Sequence, residues 1–114
     1  MNLSFENRDL TPQTGVVTLR GRLMLGKECT QLGDFVEGLL NGGRKNLVFD
    51  LTGVTQIDST GLGRFIDAFG HLQKSGGVMR LAGASGPVRD SFRVTRLDTV
   101  FSFYPSVDAA CEGL

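Results

Sequence analysis

Two hydroxyl side chains, Ser59 and Thr60, lie in residues 58–63, where an apolar strand is predicted to end and a helix to begin. A helix N-terminus carries unpaired backbone N–H groups and the positive end of the helix dipole. A phosphate on Ser59 would be tolerated at such a position, and the fold should survive the modification. The pattern is therefore compatible with a phosphorylated serine at an exposed helix start.

The same hydroxyls have a simpler interpretation as helix caps. A Ser or Thr before an apolar periodic run usually accepts a hydrogen bond from a free backbone N–H. No Glu or Gln follows Ser59 or Thr60 by three positions to complete a capping box. Asp58 is open to two interpretations, a turn residue and a residue that a partner reads. Gly61 and Gly63 each cost a helix about 0.5–1 kcal/mol, so the close approach of another backbone would explain them.

The elements around residues 58–63 follow from the periodicity of the sequence. Residues 47–51 are a short apolar run typical of a strand covered on both faces, and residues 52–55 are predicted to form a turn. The helix from Ser59 has apolar residues at the spacing of one helical face and polar residues opposite them. The apolar positions are Leu62, Phe65, Ile66, Phe69 and Leu72, and the polar positions are Arg64, Asp67, His71 and Lys74.

Similar patterns predict the remaining elements. Strands are expected around residues 3–5, 16–20, 78–82 and 100–103, and helices over residues 25–40, over residues 87–95 and from Pro105 onward. Leu25 is interpreted as the first apolar residue of its helix. The order ββαβαβαβα predicts an α/β fold with a mixed sheet of about five strands and about four helices. Residues 1–114 are expected to form a single domain.

The composition argues against several classes of protein. Twelve basic and twelve acidic side chains give no net charge, so neither nucleic acid nor a membrane surface is an expected partner. The first residues lack the pattern of a signal peptide, and no apolar run is long enough to cross a membrane, so the protein is expected in the cytoplasm. Cys29 and Cys111 are predicted to be reduced, buried thiols, and a disulfide between them is the less favoured alternative.

No group of residues indicates an enzyme, a metal site or a cofactor. His71, the single histidine, falls on the polar face of its helix and is expected to be solvated. Neither Ser59 nor Ser85 has the two flanking glycines of a nucleophile elbow. The glycines of residues 58–63 do not complete a dinucleotide-binding fingerprint. One histidine and two separated cysteines give no basis for a metal site.

Three segments carry a family resemblance: Val48-Phe49-Asp50-Leu51, Ile57-Asp58-Ser59-Thr60-Gly61-Leu62-Gly63, and Arg96-Leu97-Asp98 followed by Phe101 and Tyr104-Pro105-Ser106. In these motifs the sequence resembles STAS domains, and more narrowly the bacterial anti-sigma factor antagonists. The likeness extends over nearly the whole chain in the order of its elements. It implies a STAS-like fold and a small cytoplasmic regulator of transcription that is not an enzyme.

The antagonists of this family act by partner switching. The unphosphorylated antagonist binds an anti-sigma factor that is also a serine kinase, and a sigma factor is thereby freed. Phosphorylation of the serine directly after the aspartate ends the binding, and a metal-dependent serine phosphatase restores it. The resemblance implies that Ser59 is the phosphorylated residue. It also implies that a partner reads Asp58, Thr60, Gly61, Leu62 and Gly63.

One position departs from the family pattern. Family members often carry an acidic residue after the second strand, in a Gly-x-Leu-Asp pattern, whereas Met24 follows Gly21-Arg22-Leu23 here. Met24 is predicted to be a further partner contact, because it is flexible and lies at the same end of the sheet as Ser59. The departure also leaves a second function open. In that alternative the chain is a STAS adaptor or ligand-binding subunit of a lipid-transport or stress-sensing complex, without phosphorylation.

Overall fold

A computed structural model describes residues 2–114 and contains, within that range, five β-strands and four α-helices in the predicted order ββαβαβαβα. A short 3₁₀ turn at Leu97–Thr99, which the sequence did not predict, precedes the last strand. The elements are β1 (Ser4–Thr11), β2 (Thr14–Leu23), α1 (Lys27–Asn41), β3 (Asn46–Ile57), α2 (Ser59–Lys74), β4 (Val78–Ala82), α3 (Gly86–Val94), β5 (Ser102–Tyr104) and α4 (Val107–Cys111).

The strands form one mixed sheet in the order β1-β2-β3-β4-β5. β1 and β2 are joined by two residues, Pro12 and Gln13, and such a short connection pairs them as an antiparallel hairpin. Helices connect the later strands, which are all parallel to their neighbours. The carboxyl ends of β2 to β5 therefore lie at the same edge of the sheet, where α2 begins. The prediction of a mixed α/β sheet is confirmed.

The predicted turn at residues 52–55 is wrong, because β3 continues through it to Ile57. Gly53 pairs with Arg20 and Val54 with Gly21 of the long neighbouring strand β2. Two irregularities interrupt the β2–β3 register along this stretch. The ladder between β3 and β4 ends earlier, at Asp50 and Ala82, and β2 and β3 extend beyond it as a two-stranded tip. The start of α2 follows directly from this tip.

Helices cover both faces of the sheet, but unequally. The larger core lies under α1, α2 and α3, and Phe65 of α2 packs there against Phe49 and Phe92 at centroid distances of 5.1 and 5.6 Å. The smaller core, on the opposite face, lies under α4. Arg80 of β4 holds α4 in place by donating hydrogen bonds to the carbonyl oxygens of Ala110 and Glu112 at 3.0 and 2.7 Å.

Three apolar residues lie elsewhere than the periodicity predicted. Leu25 does not begin a helix: it precedes α1, and 79% of it is exposed. Ile66 is half exposed, and Ala68 is buried in the larger core. Val100 is exposed because the chain forms a 3₁₀ turn before β5, which begins only at Ser102. Helical spacing had placed Leu25 and Ile66 on apolar helix faces, and Val100 had been assigned to the last strand.

Candidate functional site

Asp58 is the residue that caps α2. Its backbone is extended, with φ of −114° and ψ of −176°, and its Oδ1 atom accepts a hydrogen bond from the Gly61 N–H at 2.9 Å. An acidic N-cap also carries a charge that the helix dipole favours. The interpretation of Ser59 as the cap is therefore wrong, since Ser59 is the first residue of the helix proper and is exposed. Its hydroxyl takes no part in capping.

Asp58 also connects α2 to the loop that precedes α1. Its second oxygen, Oδ2, accepts a hydrogen bond from the Leu25 N–H at 2.8 Å, across 33 positions of the sequence. Its own N–H donates to the Leu23 carbonyl oxygen at 3.3 Å. These bonds bring residues 24–26, here called the β2–α1 loop, next to the first turn of α2. Asp58 thus has a structural role in addition to the turn and partner-reading roles considered from the sequence.

The pKa of the Asp58 carboxyl is lowered. Burial alone would raise this pKa, but the backbone N–H groups of Leu25, Gly61 and Thr60 lower it by more. A lowered pKa in the folded state means that the carboxylate stabilises the fold above its unfolded pKa of about 4. That stabilisation is lost as the pH falls through the lower, folded value.

We expect the pH dependence of stability to report this carboxylate. In wild type, the free energy of unfolding should fall as the pH drops below about 4, and part of the fall belongs to Asp58. Asp58→Asn cannot titrate, so its stability should be lower at neutral pH and should fall less steeply in acid. Urea unfolding at a series of acidic pH values measures both curves. Equal slopes for the two proteins would contradict this role.

The two glycines of the site differ in their surroundings. A Cβ atom on Gly61 would lie 2.2 Å from the Leu23 carbonyl oxygen and 3.0 Å from the Ile57 side chain, so the first turn of α2 packs directly on the ends of β2 and β3. A Cβ atom on Gly63 would meet nothing within 4 Å. The close backbone approach that the sequence suggested is real at Gly61, and the backbone belongs to this chain.

The predicted site residues differ in how far they are buried. Ser59 and Met24 are exposed, and 38% of Met24 is accessible. Three residues are half-buried, namely Asp58, Thr60 and Gly63. Gly61 and Leu62 are buried, and Leu62 is part of the larger core. Partner contacts by these residues remain a prediction, and for Gly61 and Leu62 the structure shows a role in packing.

Leu25 belongs to this surface, although the sequence favoured a place for it on the apolar face of α1. The Asp58 bond holds its backbone beside the start of α2, and its side chain projects into solvent. The sequence did contain one signal, because Gly26 follows Leu25 and is the N-cap of α1. Glycine is accepted at the N-cap, and a helix capped by Gly26 begins after Leu25. Met24 and Leu25 together form an exposed apolar pair next to Ser59.

Other chemistry finds little support in the part of the chain described. Residues 2–114 hold no group of three or more His, Cys, Asp or Glu side chains placed to bind a metal ion. Of the helices in this range, none combines the length and the apolar character needed to span a bilayer. Cys29 is buried and Cys111 half-buried, both as free thiols, and burial raises the pKa of each. His71 is exposed, as predicted.

Known structures share this fold. Protein TM1081 of Thermotoga maritima aligns with a TM-score of 0.87 at 22% identity, over 95% of this chain and 92% of that one. An anti-sigma factor antagonist from Mycobacterium paratuberculosis aligns at 0.81 and 25% identity, over 96% and 91%. The Bacillus cell fate determinant SpoIIAA, in its phosphorylated form, aligns at 0.73 and 19% identity, over 93% and 96%. No curated protein sequence matches the chain.

The fold is not confined to antagonists. A sulfate transporter family protein from Wolinella succinogenes aligns with a TM-score of 0.72 at 16% identity, over 90% of this chain and 85% of that one. At such identities the likeness concerns the fold alone. A family model, the STAS domain, matches residues 7–110, which include every strand except the first residues of β1 and every helix except the end of α4. The chain belongs to the STAS domain family.

Proposed function

We propose that residues 1–114 form a single STAS domain that acts in the cytoplasm as an anti-sigma factor antagonist. In this proposal the unmodified protein binds an anti-sigma factor with serine kinase activity. Phosphorylation of Ser59 by that kinase ends the binding, and a serine phosphatase restores it. The protein acts by binding and not as an enzyme. Structural similarity to an antagonist and to phosphorylated SpoIIAA supports the proposal.

One observation carries it: Ser59 is exposed at the first position of α2, while its neighbour Asp58 does the capping. If Ser59 were the cap, its modification would remove a hydrogen bond that stabilises the helix. Because Asp58 is the cap, the Ser59 hydroxyl can be modified without that loss. A phosphate here would lie near the N–H groups at the start of α2, so the folded chain tolerates it. A partner that covers Ser59 would not, because the phosphate brings a charge of about −1.5 to −2 into the interface.

The direct test uses purified protein with ATP and a kinase-type anti-sigma factor from the same genome. Peptide mass spectrometry should locate one phosphate on Ser59 in wild type and none in Ser59→Ala. Thr60→Ala, at the neighbouring hydroxyl, should be phosphorylated as wild type is. Phosphate on Thr60 in wild type would contradict the site assignment. The absence of any phosphate would contradict the switching mechanism.

The exposed pair Met24 and Leu25 should contribute to binding of the same partner. Leu25→Ala removes most of an apolar side chain that burial in an interface would stabilise, so we expect affinity to fall roughly 10- to 100-fold. Stability should hardly change, because the side chain is already in solvent. Titration calorimetry with the unmodified protein measures the affinity, and urea unfolding measures the stability.

Val94 provides the matched control for Leu25. It is exposed to a similar degree, 75%, but it is the last residue of α3, at the helix end away from the carboxyl edge of the sheet. Val94→Ala should bind the partner as wild type does. An equal loss of affinity in both variants would mean that the effect is not specific to the Ser59 surface.

A second candidate function is an adaptor or ligand-binding subunit of a lipid-transport or stress-sensing complex. The similarity to a sulfate transporter family protein, and Met24 in place of an acid, favour considering it. The two functions differ in the intact mass of protein purified from its native host. The switch requires a population that is heavier by one phosphate. The adaptor requires a single unmodified mass under all growth conditions.

A further inference from the structure

The Asp58 carboxylate serves two elements with two different oxygens. Oδ1 accepts from Gly61 inside α2 at 2.9 Å, and Oδ2 accepts from Leu25 in the β2–α1 loop at 2.8 Å. We call this pair of hydrogen bonds the Asp58 bridge. Residues 24–26 belong to no strand or helix, so the bond to Leu25 is the contact that fixes the middle of the loop.

The bridge lies beside the hydroxyl that is proposed to be phosphorylated, because Asp58 and Ser59 are adjacent. A phosphate on Ser59 would compete with the carboxylate for hydrogen bonds from the N–H groups of the first turn. The two anions would also repel each other across one peptide unit. Gly61 can exchange one anionic acceptor for the other without leaving the helix. Leu25 has no such replacement, so its bond is the one that is lost.

We propose that Asp58 transmits the state of Ser59 to the β2–α1 loop. With Ser59 unmodified, the bridge holds the exposed Leu25 in a fixed position beside α2. With a phosphate on Ser59, the carboxylate turns away and releases the Leu25 N–H. The inference rests on the proposed function for the source of the phosphate. It adds that phosphorylation changes two surfaces, the charged helix start and the apolar loop next to it.

The coupling is reciprocal. If the phosphate destabilises the held loop, then a partner that binds the held loop opposes the phosphate by the same free energy. A protein whose Met24 and Leu25 are bound by a partner is therefore a poorer acceptor of phosphate than the free protein. The proposal concerns the chain itself, however, and it is tested without a partner.

The test is hydrogen exchange of the Leu25 amide, followed by NMR, in protein with phosphoserine inserted at position 59 during translation. Loss of a hydrogen bond to a charged acceptor should speed this exchange about 10- to 100-fold relative to unmodified protein. Phosphoserine at Ser85 is the control for added charge. Ser85 is the N-cap of α3, and phosphate there should leave the Leu25 amide unchanged.

Asp58→Ser tests the route through Asp58. Serine keeps one capping oxygen for Gly61 but has none for Leu25, so the helix start is retained and the bridge is lost. Exchange at Leu25 should be fast in this variant, and phosphoserine 59 should add nothing. Unchanged exchange in phosphorylated wild type would overturn the proposal, as would an equal acceleration by phosphate in Asp58→Ser. Because the phosphoserine is inserted during translation, a kinase that fails to modify Ser59 would refute the switch and leave this result intact.

Discussion

Gly61→Ala is expected to destabilise the folded chain by roughly 2–3 kcal/mol, the upper part of the range for overpacking. The added methyl group would lie 2.2 Å from the Leu23 carbonyl oxygen and 2.9 Å from the Leu23 side chain. The backbone oxygen cannot rotate away, so either β2 or the first turn of α2 must shift. That shift strains the Asp58 hydrogen bond to Gly61 as well. Urea unfolding followed by circular dichroism measures the difference.

Gly63→Ala is the matched control, two residues further along the same helix. Its Cβ atom would meet nothing within 4 Å, and alanine is the better helix former by about 0.5–1 kcal/mol. The two substitutions should therefore change the free energy of unfolding in opposite directions. Destabilisation by both would mean that the first turn is sensitive to any side chain. If a partner packs on Gly63 as predicted, this stabilised variant should also bind it less tightly.

Phosphorylation of Ser59 is expected to weaken partner binding by roughly 3–5 kcal/mol, because it places uncompensated charge in a buried interface. That is a loss of about two to three and a half decades in affinity. Phosphoserine inserted at position 59 allows the measurement by titration calorimetry against a kinase-type anti-sigma factor from the same genome, without ATP. The free energy of unfolding of the modified protein should fall by no more than the released Leu25 hydrogen bond contributes, since the helix start accepts the charge.

Two other variants of this chain separate the effect of the added charge from the effect of a changed side chain in this experiment. Ser59→Ala removes the hydroxyl without adding charge, and we expect it to bind nearly as tightly as wild type. Phosphoserine at Ser85 adds the same charge at a different helix start and should leave affinity unchanged. Tight binding by the phosphoserine 59 protein would refute the switch. Weak binding by Ser59→Ala would show that the hydroxyl itself is a contact.

The elements could be predicted from the sequence where one pattern decided them. The apolar run at residues 47–51 and the helical spacing after Ser59 were sufficient, because burial on one or two faces determines both patterns. The local sequence did not decide the structure of residues 52–55, since Thr-Gly-Val-Thr suits a turn as well as a strand. The outcome depended on β2, which is long enough to pair with the extension of β3. Pairing between distant segments leaves no local signal.

The start of α2 could be predicted from the sequence, but the capping residue could not. Asp, Ser and Thr are all good N-caps, so three consecutive candidates could not be ranked by type. The capping residue is the one whose carboxylate also reaches Leu25, 33 positions away, and that contact exists only in the folded chain. The same contact explains Leu25. Its spacing matched a helix, but its hydrogen bond to Asp58 holds it in the β2–α1 loop, outside α1.

Each strand of the sheet pairs with the strand that precedes it in the chain, so a chain emerging from the ribosome always finds its next partner already synthesised. The surface proposed for phosphorylation needs only residues 21–63, which are complete before β4 is made. β5 and α4, with three and five residues, join last, and Arg80 is already in place on β4 to receive the carbonyl groups of α4. We therefore expect the surface that carries Ser59 to assemble early in biosynthesis and the second face of the sheet to be covered at its end.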